Sequence, residues 1–198
     1  MAGRGQMFRW LTGRTDVDVD VDGGGDLRGM LLAAGGPSNR TKSGIDLTAA
    51  ASKLGVSRRT VERWHRSAAT GQGQRPSPAH MKSLTKAARR AATTKAGRAQ
   101  WVSAARADQR YTNGARLVVD AYQGPGDSEG EHMRDRAVTH MLDRDQLEAM
   151  WSAYEQGGDK GMQAWLSGTG ESYLDGWRTG EIYDISVIGE DDYRRGRR

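Results

Sequence analysis

The segment Leu47-Thr-Ala-Ala-Ala-Ser-Lys-Leu-Gly-Val-Ser-Arg-Arg-Thr-Val-Glu-Arg-Trp64 constrains this chain more than any other. It predicts two short helices, near 46–54 and 58–67, joined by a tight turn. Ala51 is small where the two helices cross closely. Gly55 stands where the turn wants a positive φ, which glycine reaches without strain. Leu54, Val56, Val61 and Trp64 are spaced to fill the core between the helices, and Ser57 is placed to cap the second by accepting a backbone N–H. Arg58, Arg59, Thr60, Arg63 and Arg66 then lie on or near its outward side. That is the pattern of a helix-turn-helix, whose second helix enters a DNA major groove. An ordinary helical hairpin with surface arginines is the bland alternative.

The distribution of charge argues for the sharper reading. The chain carries +5 overall, but residues 51–100 hold twelve Lys or Arg against the single acid Glu62, a net +11. Residues 151–192 hold nine acids against Lys160 and Arg178, a net −7. One half is built to meet a polyanion and the other is not. Arg58 and Arg59, near the start of the second helix, are placed for guanine edges. Thr60 and Arg63 reach either bases or phosphate. Lys53, Arg66, Lys82, Arg89 and Arg90 are read as phosphate contacts.

Length and hydropathy set the frame. With 198 residues and 36% hydrophobic side chains, and a mean hydropathy of −0.77, the chain predicts one or two small domains with modest cores. We expect a mostly α protein with a small β element (α+β). Residues 1–26 read as a disordered acidic arm containing Asp16-Val-Asp-Val-Asp-Val-Asp22, and 27–70 as the helix-turn-helix domain, opened by a helix over 26–34. Residues 71–110 read as a linker and one basic helix over about 79–108, with Met81, Leu84, Ala88 and Ala91 as its apolar stripe. Residues 111–190 read as a C-terminal α+β domain, and 191–198 as a basic tail. Within the C-terminal domain, 116–122 and 182–188 predict two strands free to pair. Met133, Ala137, Val138 and Met141 predict a helix over 131–142. A second helix opens with the capping box Asp143-x-x-Gln146, carries Leu147, Met150, Trp151 and Tyr154, and stops at Gly157-Gly158. A third carries Met162, Trp165, Leu166 and Tyr173. The Met and Trp positions follow helical spacing, which marks core.

Chemistry-bearing patterns are few. With no cysteine, disulfides and thiolate metal sites are excluded. His65, His80, His132 and His140 make no metal pattern. Asp18-x-Asp20-x-Asp22-Gly23 with Asp26 matches the opening of a calcium loop. Its twelfth position is Gly29 rather than glutamate, so an acidic low-complexity arm is the better reading. No phosphate-binding loop or nucleophile elbow is present. We therefore expect no active site, no cofactor and no metal. No apolar run reaches the roughly 20 residues of a membrane span, and no signal-peptide core opens the chain. A cytoplasmic, nucleoid location is expected.

The order of parts resembles a known family, the telomere-protecting terminal proteins (Tpg type) of linear actinobacterial replicons. The likeness rests on Leu54-Gly-Val-Ser-Arg-Arg-Thr-Val-Glu-Arg-Trp64, Arg136-Ala-Val-Thr-His-Met-Leu142, Gln146-Leu-Glu-Ala-Met-Trp-Ser-Ala-Tyr-Glu-Gln-Gly157 and Glu181-Ile-Tyr-Asp-Ile-Ser-Val187. It covers about residues 27–190. The resemblance implies a protein that sits covalently on the 5′ ends of linear DNA and offers a side-chain hydroxyl as primer for end replication. A DNA polymerase and a telomere-associated protein are the implied partners, alongside telomere DNA, single-stranded forms included. The family's hydroxyl lies in a loop just before the helix matching 131–142. Here that loop is Gly124-Pro-Gly-Asp-Ser128-Glu-Gly130, so Ser128 is the implied attachment site, with Thr112 in reserve. The family has a threonine and a longer loop at this place. A helix-turn-helix transcriptional regulator and a plasmid or phage replication accessory protein are the rival readings.

Overall fold

A computed structural model describes residues 7–8, 26–38, 40–126, 132–171 and 176–194. They fall into two compact units, one ending at Ala104 and one beginning at Ala105. The molecule is α+β, with a small antiparallel sheet confined to the second unit.

The N-terminal unit is built around helix α1, Leu27–Gly35. The Asp26 carboxylate caps it by accepting the Gly29 N–H at 2.8 Å. Every residue from Gly29 to Gly35 is buried, so α1 is a helix apolar on all sides that other helices must surround. Three of those are α2 (Leu47–Leu54), α3 (Arg58–Thr70) and α4 (Pro78–Thr93). Met30, Leu31 and Leu32 share one core with Ile45, Ala50, Ala51, Val61, Trp64, Leu84, Ala88 and Trp101. The Phe8 ring meets Trp101 edge-on at 4.2 Å.

The basic helix expected over 79–108 is two helices, α4 and α5 (Lys95–Arg106). Ser77 caps α4, with Pro78 in its first turn. The break is at Thr94, which is extended (φ −96°, ψ 145°). The Thr94 hydroxyl donates to Arg90 O at 2.7 Å and accepts the Gly97 N–H at 3.0 Å, closing one helix and opening the next. A threonine hydroxyl competing for backbone partners is a sufficient cause. The apolar stripe of α4 is not a linker's. Leu84, Ala87, Ala88 and Ala91 belong to the core of this unit.

The C-terminal unit holds β1 (Ala115–Pro125), β2 (Arg134–Leu142) and β3 (Trp177–Gly189), in the order β2-β1-β3 and antiparallel throughout. The pairing expected between 116–122 and 182–188 forms, with Arg116 opposite Ile188 and Asp120 opposite Asp184. The helix expected over 131–142 does not. That segment is β2, paired with β1 from Ala115–Leu142 to Gln123–Arg134. Two periods compete in it. Met133, Ala137 and Met141 recur every four residues, but Arg136, Val138, His140 and Leu142 alternate and are the ones turned inward, whereas Ala137 and Met141 are exposed. A nine-residue ladder and the β-branched pair Val138-Thr139 favour the period of two. The sheet therefore has three strands rather than two.

Helix α6 (Arg144–Glu171) packs on β2 and β3. The Asp143 carboxylate accepts the Gln146 N–H at 2.8 Å and the Gln146 side chain accepts the Asp143 N–H at 3.0 Å, a reciprocal cap. Gly158 takes φ 61° and ψ −142°, outside the helical range, so α6 is two helical segments meeting at a kink where the stop at Gly157-Gly158 was expected. Leu147, Met150, Trp151, Tyr154, Met162 and Leu166 are buried, as are Leu117, Val119, Ile185 and Val187 on the sheet. Arg106 ties this unit's first residues to α6, donating to Glu148 at 2.9 Å and Glu155 at 2.8 Å. That hydrogen bond holds the Glu148 carboxyl below its ordinary 4.5. No described helix is long and apolar enough to cross a membrane.

Two outcomes follow. Trp64→Ala, which empties a site only 2% exposed, lowers the stability of the N-terminal unit by about 3–5 kcal/mol; an unmoved urea midpoint contradicts this packing. A glutamate whose folded value lies below its unfolded one stabilises above pH 4.5 and loses that contribution as pH falls through the folded value. Glu148→Gln therefore makes thermal stability less sensitive to pH in the acid range, checked by melting curves from pH 3 to 7.

Candidate nucleic-acid interface

The geometry of α3 is set by its start and by its buried side. Gly55 takes φ 66° and ψ 32°, the left-handed conformation that ends α2. Val56 N–H then returns to Ala51 O at 3.1 Å. Ser57 is extended, and its hydroxyl accepts the Thr60 N–H at 3.2 Å while sharing a 2.8 Å hydrogen bond with the Thr60 hydroxyl. Thr60 is half-buried and occupied at the cap. Val61 and Trp64 are buried, and the Trp64 ring lies 5.2 Å from His80.

With 3.6 residues per turn, fixing Val61 and Trp64 inward turns Arg59, Arg63 and Arg66 outward as one stripe about 60° wide. All three are exposed. Arg58 is exposed too, but off this stripe, and its Nε donates to Glu62 at 2.8 Å. Both partners are at the surface, 62% and 39% exposed, so the pair is a weak one. Lys53 is exposed in the last turn of α2.

A second stripe lies along α4. Lys82, Lys86 and Arg89 are exposed at i, i+4 and i+7, opposite buried Leu84, Ala88 and Ala91. Arg90 is exposed to one side of it. Lys86 was not singled out from the sequence, although its spacing from Lys82 was the available signal. Arg98 is withdrawn from the surface: it is 8% exposed and donates to Thr93 O at 2.9 Å.

Residues 26–104 carry fifteen Lys or Arg and three acids. Each acid has local work. Asp26 caps α1, Asp46 caps α2 by accepting the Thr48 and Ala49 N–H groups at 3.0 and 2.9 Å, and Glu62 meets Arg58. Among the described residues of the unit, cations thus outnumber acids five to one. The capping role of Asp26 also gives it an occupation other than the calcium loop weighed above, whose remaining acids lie outside the described residues. Among the described residues no three His, Cys, Asp or Glu side chains gather as a metal-binding set.

The two hydroxyls singled out from the resemblance differ in standing. Ser128 lies outside the described residues. The segment carrying it connects β1 to β2, two antiparallel strands, and does not precede a helix. Thr112 is exposed beside the short turn Gln109–Tyr111 and donates to Gln109 O at 2.9 Å. Compared with known protein families, curated proteins and solved structures, the chain matches none.

Proposed function

We propose that the N-terminal unit binds double-stranded DNA, with α2, the Gly55 turn and α3 acting as a helix-turn-helix. The reading is carried by one observation: Arg59, Arg63 and Arg66 form an exposed stripe on a capped helix whose opposite side is locked by Val61 and Trp64. A helix held this way offers planar guanidinium groups at a fixed rotation, which suits bidentate contact with guanine edges. The stripe Lys82, Lys86 and Arg89, with Lys53 and Arg90, supplies charge for phosphates. Arg58 serves less well at a base edge than Arg59, because Glu62 already engages its Nε.

The particular job we infer is that of a terminal protein of linear DNA, capping 5′ ends and priming their synthesis. This rests on the sequence resemblance. It makes the chain a substrate and scaffold for a polymerase rather than an enzyme, with Ser128 as first choice of acceptor and Thr112 as second. In the priming step the hydroxyl oxygen bonds to the α-phosphorus of a deoxynucleoside triphosphate, pyrophosphate leaves, and the polymerase supplies the metal ions. A transcriptional regulator or a replicon accessory protein uses the same helices without that bond.

If about six phosphates are neutralised, affinity for a 30-bp duplex falls on the order of a thousandfold between 50 and 200 mM salt; a flat response in fluorescence anisotropy refutes the interface. Arg63→Ala weakens binding to the preferred sequence by about 1–3 kcal/mol if it reads a base. With a protein-priming polymerase and labelled deoxynucleotide, the wild-type chain acquires label stable to SDS and Ser128→Ala does not. Label retained by Ser128→Ala removes Ser128, and no label on the wild type removes priming while leaving DNA binding to its own test.

A further inference from the structure

The connection from α1 to α2 is longer than the gap it crosses. Gly36 O accepts the Asp46 N–H at 3.0 Å, and a Cβ on Gly35 would collide with Asp46 O, so the end of one helix already touches the start of the next. The residues between them fold back as a small hairpin. Pro37 bridges Ile45 in antiparallel fashion, the Ser38 N–H donates to Gly44 O at 3.0 Å, and the Gly44 N–H donates to Thr41 O at 3.0 Å. Gly44 closes this turn at φ 68°, in the left-handed region. The Thr41 hydroxyl donates to Ile45 O at 2.9 Å, and the Ser43 hydroxyl accepts the Ile45 N–H at 3.3 Å. Ile45 is wholly buried in the core that also holds Val61 and Trp64. The hairpin is therefore anchored to the core that fixes α3.

Two cations occupy its tip. Arg40 and Lys42 are exposed and alternate with the half-buried Thr41 and Ser43. No acid lies between Ser38 and Ile45, and neither cation meets a carboxylate among the described residues. The next acid, Asp46, accepts the Thr48 and Ala49 N–H groups at 3.0 and 2.9 Å. Its carboxylate thus takes the free donors at the start of α2 and sets a negative charge there, which denies that end of the helix to a phosphate. Any charge offered to DNA at this end of α2 must come from the hairpin. The reach is suitable. Helix α2 has eight residues, about 12 Å of rise, and the major groove of B-DNA is about 12 Å wide. With Arg59, at the start of α3, inside the groove, the far end of α2 comes to the strand that borders it.

We propose that the hairpin is a phosphate clamp, in which Arg40 and Lys42 grip the DNA backbone at the edge of the groove that α3 enters. This deepens the helix-turn-helix reading above and rests on it. Phosphates are alike at every step of the duplex and carry no direct sequence information. The clamp therefore adds affinity and holds register, while Arg59 and Arg63 do the selecting. Its anchor through Thr41, Ser43 and Ile45 keeps the two cations at a set distance from α3, so gripping the backbone also sets how α3 lies in the groove.

Salt titrations of the full chain against a mixed-sequence 30-bp duplex, read by fluorescence anisotropy, test the clamp apart from α3. Losing two phosphate contacts makes the slope of log affinity against log salt shallower by about 1.8, about 0.9 for each. Arg40→Ala with Lys42→Ala thus loses about a hundredfold in affinity between 50 and 200 mM salt, where the wild type loses about a thousandfold. Its melting temperature stays at the wild-type value, because both side chains are exposed. Arg40→Lys with Lys42→Arg keeps both charges and retains the wild-type slope. A wild-type slope in the alanine pair overturns the clamp and leaves the helix-turn-helix standing. A shallow slope in the charge-keeping pair also overturns it, since charge is then not what the hairpin supplies. Arg59→Ala with Arg63→Ala is the second arm. If that pair binds as the wild type does while the hairpin pair shows the shallow slope, the hairpin's phosphate contact stands and the helix-turn-helix falls. A wild-type chain that does not bind the duplex at 50 mM salt overturns both.

Discussion

The rotation of α3 about its own axis is the constraint on which the rest depends. Val61 and Trp64 are buried against the helix α1, which itself has no exposed side beyond its first turn. A helix cannot turn without dragging an indole out of a packed core, so the side opposite is fixed as well. That side carries Arg59, Arg63 and Arg66. Gly55 and Ser57 decide where the helix begins, Trp64 decides which way it faces, and the basic field is the consequence. Burial of a few apolar groups thus places charges that make no contribution to the core.

The second unit solves a different problem with the same economy. Its sheet buries one side under α6 and leaves the other to solvent, a common arrangement for antiparallel strands. Leu117, Val119, Ile185 and Val187 turn inward, and the amide of Gln123, though 1% exposed, is satisfied by donating to Val119 O and Arg136 O. Opposite charges have been sorted between the two units, and within each unit onto surfaces the core does not use.

Much of the N-terminal unit was legible because its signals are local. A cap needs a Ser or Asp at one position, a left-handed turn needs a glycine, and a buried stripe needs apolar residues every three or four. Ser57, Gly55 and the set Val61 and Trp64 each follow such a rule, as does Asp143 in the C-terminal unit. Residues 131–142 were not legible for the same reason turned round. Met133, Ala137, Val138 and Met141 satisfy a helical period and Arg136, Val138, His140 and Leu142 satisfy a strand period, and no local rule ranks them. The break at Thr94 was missed because an Ala-rich run hides a single hydroxyl that turns back on Arg90.

By itself the sequence determined which stretches are amphipathic, where several helices start, how charge divides along the chain and that no cysteine chemistry is possible. Only the tertiary structure decided that residues 134–142 are a strand, because β1 supplies a ladder of hydrogen bonds that no neighbour in sequence offers. It alone made α4 part of the first core. Helix caps and turns are settled within a few residues. Strand pairing is settled by partners more than seventy residues away, such as Arg116 and Ile188, and the free energy of that pairing does not exist until the chain has brought them together.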